Sequence, residues 1–161
     1  MHRMIVISVV LAALLASLLG CESGYSEHNK QAASSISLRK EWIPASSASV
    51  ANPELALDGN MGTAAKSGSS QTDAWVELDL GEVCLFNEVI IEHGLAEEGF
   101  AGRVSIYTSI DGENYTYRFT GPGNRRVSIF ALVTPVLAKY VRLEVSQPGP
   151  HMWSLAEVYL R

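Results

Sequence analysis

Residues 75–80 read WVELDL, in which Val76, Leu78 and Leu80 alternate with Glu77 and Asp79. Successive side chains of an extended chain point to opposite faces, so an apolar residue at every second position describes a strand with one buried and one wet face. The same period returns at 104–109, where Val104, Ile106 and Thr108 alternate with Ser105, Tyr107 and Ser109, and at 140–145, where Val141, Leu143 and Val145 alternate with Tyr140, Arg142 and Glu144. Val89, Ile90 and Ile91 form a longer apolar run that suits a central strand. Between Ile110 and Tyr115, the residues Asp111, Gly112, Glu113 and Asn114 are a hairpin signal flanked by β-forming residues. Further strands are expected at 126–132 and 155–160. No segment of this region keeps a 3.6-residue period beyond two turns, and the pattern predicts an all-β sandwich of about eight short strands, closed so as to protect its edges.

Outward from these strands, residues 55–67 read LALDGNMGTAAKS. A turn needs Gly59 and is helped by Asn60, because glycine takes positive φ without cost and asparagine tolerates it. It does not need Asp58 and Thr63 as well. Together these residues gather a carboxylate, an amide, a hydroxyl and several carbonyls in one loop, as a hard cation such as calcium requires. An ordinary turn, with Asp58 accepting backbone hydrogen bonds, accounts for the same residues.

The N-terminus has a different character. A short basic start, including Arg3, precedes a 16-residue apolar run at 4–19 that ends in Leu18, Leu19, Gly20 and Cys21. A membrane span needs about 20 apolar residues, so the run reads as a secretory signal over 1–20. Its ending resembles the lipobox of bacterial lipoproteins, which implies processing at Cys21 and acyl chains, palmitate among them, on that residue. Several chains give stable anchoring without a span. Glu22 follows the Cys, and the expected placement is the cell envelope, at the outer membrane or cell surface. Residues 21–38 are mostly small and polar and read as a tether. The remaining 39–161 suffices for one core and is short for two.

The chain has 12 Lys and Arg against 17 Asp and Glu, a net charge of −5. An acidic domain of this kind is a poor partner for nucleic acid, whose binding rests on cationic neutralisation of phosphate. Only two cysteines occur. With Cys21 acylated, Cys84 has no disulfide partner and, lying between Val83 and Leu85, is expected in the core.

Several short motifs in register, namely Ala-Leu-Asp-Gly-Asn at 56–60 with Thr63, the 75–81 strand and its Gly, 86–89, 105–109 leading to Asp111-Gly112, 139–143 and 155–158, resemble the discoidin domain. This is also called the coagulation factor type C domain, and its bacterial relatives are galactose-binding-like carbohydrate-binding modules. Within it, Gly123 to Val127 followed by the Tyr-Val-Arg-Leu strand looks most like modules appended to bacterial α-L-fucosidases. The resemblance covers nearly all of 39–161. It implies a jelly-roll β-sandwich with its ligand site on loops at one end, and a structural calcium in many members. Carried over, Leu57 and Asn60 would supply carbonyls, Asp58 a carboxylate, Thr63 its hydroxyl and carbonyl, and Glu157 or its neighbour Ala156 the closing ligand. Where the family usually has Trp two residues after the Thr, this chain has Ala65.

No catalytic constellation is legible. A glycosidase needs two carboxylates facing each other across about 5 to 10 Å, whereas the acidic residues here fall on wet strand positions or in loops, as Glu97 and Glu98 do. No Ser-His-Asp set, nucleophile elbow or metal-spaced His cluster occurs. The chain therefore reads as a binding module and not an enzyme. Sugars are held by an apolar platform and directional donors, which makes His93, Phe100, Asn124, Arg125, Arg126 and Trp153 the candidate ligand-binding residues. His93 resembles in position the His that hydrogen-bonds sugar in many relatives, and Phe100 or Trp153 would be the platform. The competing expectation is attachment to another envelope protein instead of a glycan.

Overall fold

The structure is a computed structural model that describes residues 39–161. The signal, Cys21 and the tether expected at 21–38 lie outside the described residues. Nine strands follow one another: β1 (Ile43–Ser46), β2 (Val50–Ala51), β3 (Ala65–Ser67), β4 (Trp75–Glu92), β5 (Arg103–Ser109), β6 (Thr116–Pro122), β7 (Val127–Gln147), β8 (Ser154–Leu155) and β9 (Glu157–Leu160). Single 3₁₀ turns cover Arg39–Glu41 and Pro53–Ala56. Among the described residues no helix is long and apolar enough to cross a membrane.

Six strands form one sheet in the order β1-β4-β7-β5-β6, with β9 also on β4, and β2, β3 and β8 form a second sheet. Every pairing is antiparallel. The alternation at 75–80 is realised as a strict sequence of buried and half-buried positions. Val76, Leu78, Ile106, Phe130, Val141 and Leu143 of the large sheet meet Val50, Ala65 and Leu155 of the small one, together with Trp42 and Trp153, in one buried cluster. Each large aliphatic side chain so buried contributes about 1.5 to 3 kcal/mol. Cys84 is buried in the same cluster. This is the expected β-sandwich.

The strand count departs from the expectation of about eight short strands in two physical ways. First, 75–80 and 89–91 are parts of one 18-residue strand, and, apart from Arg126, 126–132 and 140–145 are parts of one 21-residue strand. Register shifts between Asp79 and Cys84 and between Phe86 and Glu88 bend β4 without ending it, so the two halves bury different phases of the alternation. Second, β1, β2, β3 and β8 have two to four residues each, too few for a period to show.

The hairpin predicted at 111–114 joins β5 to β6. The Asp111 carboxylate accepts from the backbone N–H of Glu113 (2.9 Å) and Asn114 (2.8 Å) and from the Asn114 amide (2.8 Å), and these bonds hold its pKa far below the usual carboxylate range. On the wet face, the Arg142 guanidinium lies 4.6 Å from the Trp75 ring centre and 4.3 Å from that of Tyr115. Both Arg142 and the Tyr115 hydroxyl donate to Glu77. Burial, and then the Glu77 carboxylate, push the Tyr115 hydroxyl up to about 12.

Candidate functional site

Four loops are stitched together beside the small sheet. The Arg126 N–H donates to Glu97 O (3.0 Å), His93 N–H to Arg126 O (2.8 Å) and Ser154 N–H to Gly99 O (2.8 Å). Gln71 is buried and joins the rest: its amide nitrogen donates to the carbonyls of Phe100 and His151, and its oxygen accepts from the Gly149 N–H. A buried amide with donors and acceptor all used rigidifies what it joins. Gly99 permits the close approach, since a Cβ there would stand 2.7 Å from Ser154 Cβ.

Between these loops and β3 lies a groove of about 400 Å³ lined by Lys66, Leu95, Ala96, Glu97, Glu98, Gly99, His151, Met152 and Ser154. Leu95 is 87% exposed, so an apolar wall stands open to solvent. The acidic pair is neutralised by two arginines outside the groove. Glu98 is 3.0 Å from Arg125 and 3.3 Å from His151 Nε2, and Glu97 is 3.4 Å from Arg126 and 3.9 Å from Arg125. Arg125 and Arg126 thus hold the loop that forms one wall and do not line the groove themselves. Asn124 is exposed on the same loop, where its N–H donates to Ser128 Oγ at 2.9 Å.

Two sequence candidates are corrected by burial. Trp153 is 0% exposed; it belongs to the buried core cluster and cannot stack on a ligand. His93 is 1% exposed. Its Nδ1 lies 2.6 Å from the Ser154 carbonyl oxygen and its Nε2 2.9 Å from Ser128 Oγ. A carbonyl only accepts, so Nδ1 carries the proton and Nε2 accepts from the serine. His93 is an internal strut between β4, β7 and β8, and no ring nitrogen is left for a sugar. Phe100 is half-buried and does not line the groove, so the expected aromatic platform is absent from it. Lys66, Leu95 and Ser154 were not legible as a group. The only local signal was the open Leu95 between two small residues.

Burial pushes the His93 imidazole below its ordinary 6.5, against the opposing pull of the Ser154 carbonyl. The unfolded chain takes up a proton near pH 6.5 that the folded chain refuses until lower pH. The stability contribution is therefore complete above about 6.5 and is lost as pH falls, at up to about 1.4 kcal/mol per pH unit. Melts between pH 7.5 and 5 are expected to show Tm falling below pH 6.5, with a shallower decline in His93→Gln; an undiminished slope in that variant contradicts the assignment.

The Asp58 turn is a second feature. The Asp58 carboxylate accepts from Asn60 N–H (2.8 Å) and from the Thr63 hydroxyl (2.6 Å), which also lies 2.9 Å from Asn60 O. These bonds, Thr63 first, lower the Asp58 pKa, and the neighbouring Glu157 carboxyl adds a smaller effect. Leu57 is half-buried against the core. Glu157 is 1% exposed and ion-paired with Arg39, whose guanidinium stacks 4.1 Å from the Tyr159 ring centre. The second carboxylate oxygen of Glu157, Oε1, is buried with no hydrogen-bond partner. That orphaned acceptor beside Asp58 and the carbonyl-rich turn is an all-oxygen donor set that fits calcium. Among the described residues no three His, Cys, Asp or Glu side chains cluster, so carbonyls would have to complete the shell.

The family model described as F5/8 type C domain matches residues 31–158. No curated protein sequence matches the chain. Solved structures share the fold. A carbohydrate-binding module from Clostridium perfringens in complex with GalNAc-β-1,3-galactose has 16% identity over 76% of this chain and 96% of that one, with a TM-score of 0.68. The family 32 carbohydrate-binding module of C. perfringens NanJ, in complex with galactose, has 18% identity over 76% and 94%, TM-score 0.65. Chitosan-binding module 1 of a chitosanase/glucanase from Paenibacillus sp. IK-5 has 23% identity over 74% and 93%, TM-score 0.62.

Proposed function

The chain belongs to the F5/8 type C domain family, and from that membership we propose that it is a non-catalytic, lipid-anchored module that takes a glycan into the Leu95–Met152 groove. The observation that carries this reading is the groove itself: an open aliphatic wall facing polar groups, held by a loop set that Gln71 and His93 make rigid before any ligand arrives. Preorganisation of this kind lowers the ordering cost of binding. The fold likeness to modules solved with galactose and GalNAc-β-1,3-galactose supports the ligand class.

A shallow site with an aliphatic wall makes few desolvated contacts, and single-site dissociation constants of about 10⁻⁵ to 10⁻³ M are expected. Arrayed copies on a membrane would compensate by avidity. The test is titration of galactose, GalNAc-β-1,3-galactose and chitosan oligomers into the full chain recovered from membranes, followed by calorimetry. At least one should saturate, Leu95→Glu should abolish it without lowering Tm, and Cys21→Ser should move the protein to the soluble fraction. Absence of saturation by every glycan sinks the reading, and so does binding indifferent to Leu95→Glu.

A second reading, attachment to another envelope protein, draws on a different surface. Leu85 and Leu137 are cross-strand partners on the wet face of the large sheet, and both are about half exposed, with Val83 and Val133 also open. A partner that binds a Leu85→Glu-sensitive face, with no glycan bound, would favour it. Calcium is proposed as a structural ion held by Asp58, Asn60, Thr63 and Glu157, where it would neutralise two carboxylates and tie the turn to β9.

A further inference from the structure

Lys66 and Ser154 are register partners across the β3–β8 ladder. Residues directly opposite in an antiparallel pair present their side chains on one face, with Cβ atoms about 4.5 to 5.5 Å apart. Both line the groove. Ser154 is 1% exposed, and its Oγ is buried with no hydrogen-bond partner. Its backbone, by contrast, is fully used: the N–H donates to Gly99 O (2.8 Å) and the carbonyl accepts from His93 Nδ1 (2.6 Å). Buried hydroxyls in folded proteins find partners, and Ser154 lines the groove.

The charges of the groove point the same way. Both lining carboxylates already face arginines, Glu97 with Arg126 and Glu98 with Arg125. Lys66 is exposed and makes no ion pair among the described residues. The uncompensated charge of the groove is therefore a single ammonium, on a chain whose net charge is −5. An amino sugar would find its counter-charges already taken. An anionic group would find an ammonium and an unpartnered hydroxyl on one face, and charge-assisted hydrogen bonds are roughly twice as strong as neutral ones.

We propose that the groove selects an anionic glycan residue, a uronic acid or a sugar sulfate, whose acidic oxygens are held between Lys66 and Ser154 while the pyranose lies on Leu95 and Met152. The inference rests on the glycan reading of the groove. It is tested by titrating the full chain with galactose, galacturonate and galactose 6-sulfate under one buffer. Galacturonate or the sulfate should bind about 10-fold more tightly than galactose, a ratio that corresponds to one charge-assisted contact. The arm that binds identifies carboxylate or sulfate as the source. The ratio should shrink in 1 M salt, where screening acts over about 3 Å, and fall to about one in Lys66→Met, whose exposed position leaves Tm unchanged. Galactose binding with no preference for either anion overturns the proposal and leaves the glycan reading standing. A preference that survives Lys66→Met overturns it as well. No binding of any of the three sugars, with the protein folded, overturns the anionic proposal too, while the glycan reading falls only if GalNAc-β-1,3-galactose and chitosan oligomers fail as well.

Discussion

Trp153→Ala is expected to lower the stability of the domain by about 3 to 5 kcal/mol, the range for truncating a fully buried Trp. Trp153 is 0% exposed and the largest of the fully buried side chains. Its backbone is clamped on both sides: the N–H donates to Ser67 Oγ and the carbonyl accepts from the Ser67 N–H, both at 2.8 Å. The substitution leaves a cavity that this clamp prevents from collapsing. For a domain of this size the loss corresponds to a fall in Tm of about 10 to 20 °C. Thermal unfolding followed by circular dichroism decides the matter. If Trp153 were an exposed sugar platform, Ala would leave Tm within about 2 °C and abolish binding alone. The two roles predict opposite patterns.

The second large effect concerns Arg39 and Glu157. Removing one partner of a buried ion pair costs about 3 to 5 kcal/mol, because the other charge is left uncompensated. Glu157 is 1% exposed and Arg39 21%, so water partly screens the arginine and the low end applies. Arg39→Met is expected to cost about 3 kcal/mol in chelator. Calcium bound to Asp58 and the Oε1 of Glu157 would supply a replacement cation, and ligand that binds only the folded state adds to its stability. Millimolar calcium should therefore restore much of the loss in Arg39→Met, and Asp58→Ala should cancel the restoration. An equal loss with and without calcium would end the case for the ion. A loss below about 0.5 kcal/mol in both conditions would show that the pair is only a surface contact.

Legibility in the sequence followed the range of the interaction. The strands at 75–80, 104–109 and 140–145 and the hairpin at 111–114 were readable because alternation and turn chemistry are written in neighbouring residues. That 75–80 and 89–91 belong to one strand was not, since Gly81, at φ +79°, reads locally as a breaker, and only the pairing to β7 carries the strand across it. The site divides in the same way. The loops that carry the candidates Phe100, Asn124, Arg125, Arg126 and Trp153 do meet. Which side chains they offer was misjudged at His93 and Trp153. An imidazole that bridges Ser154 and Ser128 within the core has the same local sequence as one that meets a sugar.

By itself, then, the sequence of this chain determined the β class, the single core, the hairpin and the membership in the F5/8 type C family, all of which rest on period, turn residues and short motifs. The tertiary structure alone decided that Trp153 and both residues of β8 are buried, that Lys66 stands opposite Ser154, that Gln71 ties the loops, and that Glu157 is matched to Arg39, 118 positions away. The reason is physical: a two-residue strand has no period to read, and burial and ion pairing depend on which distant segments the sheet register brings together.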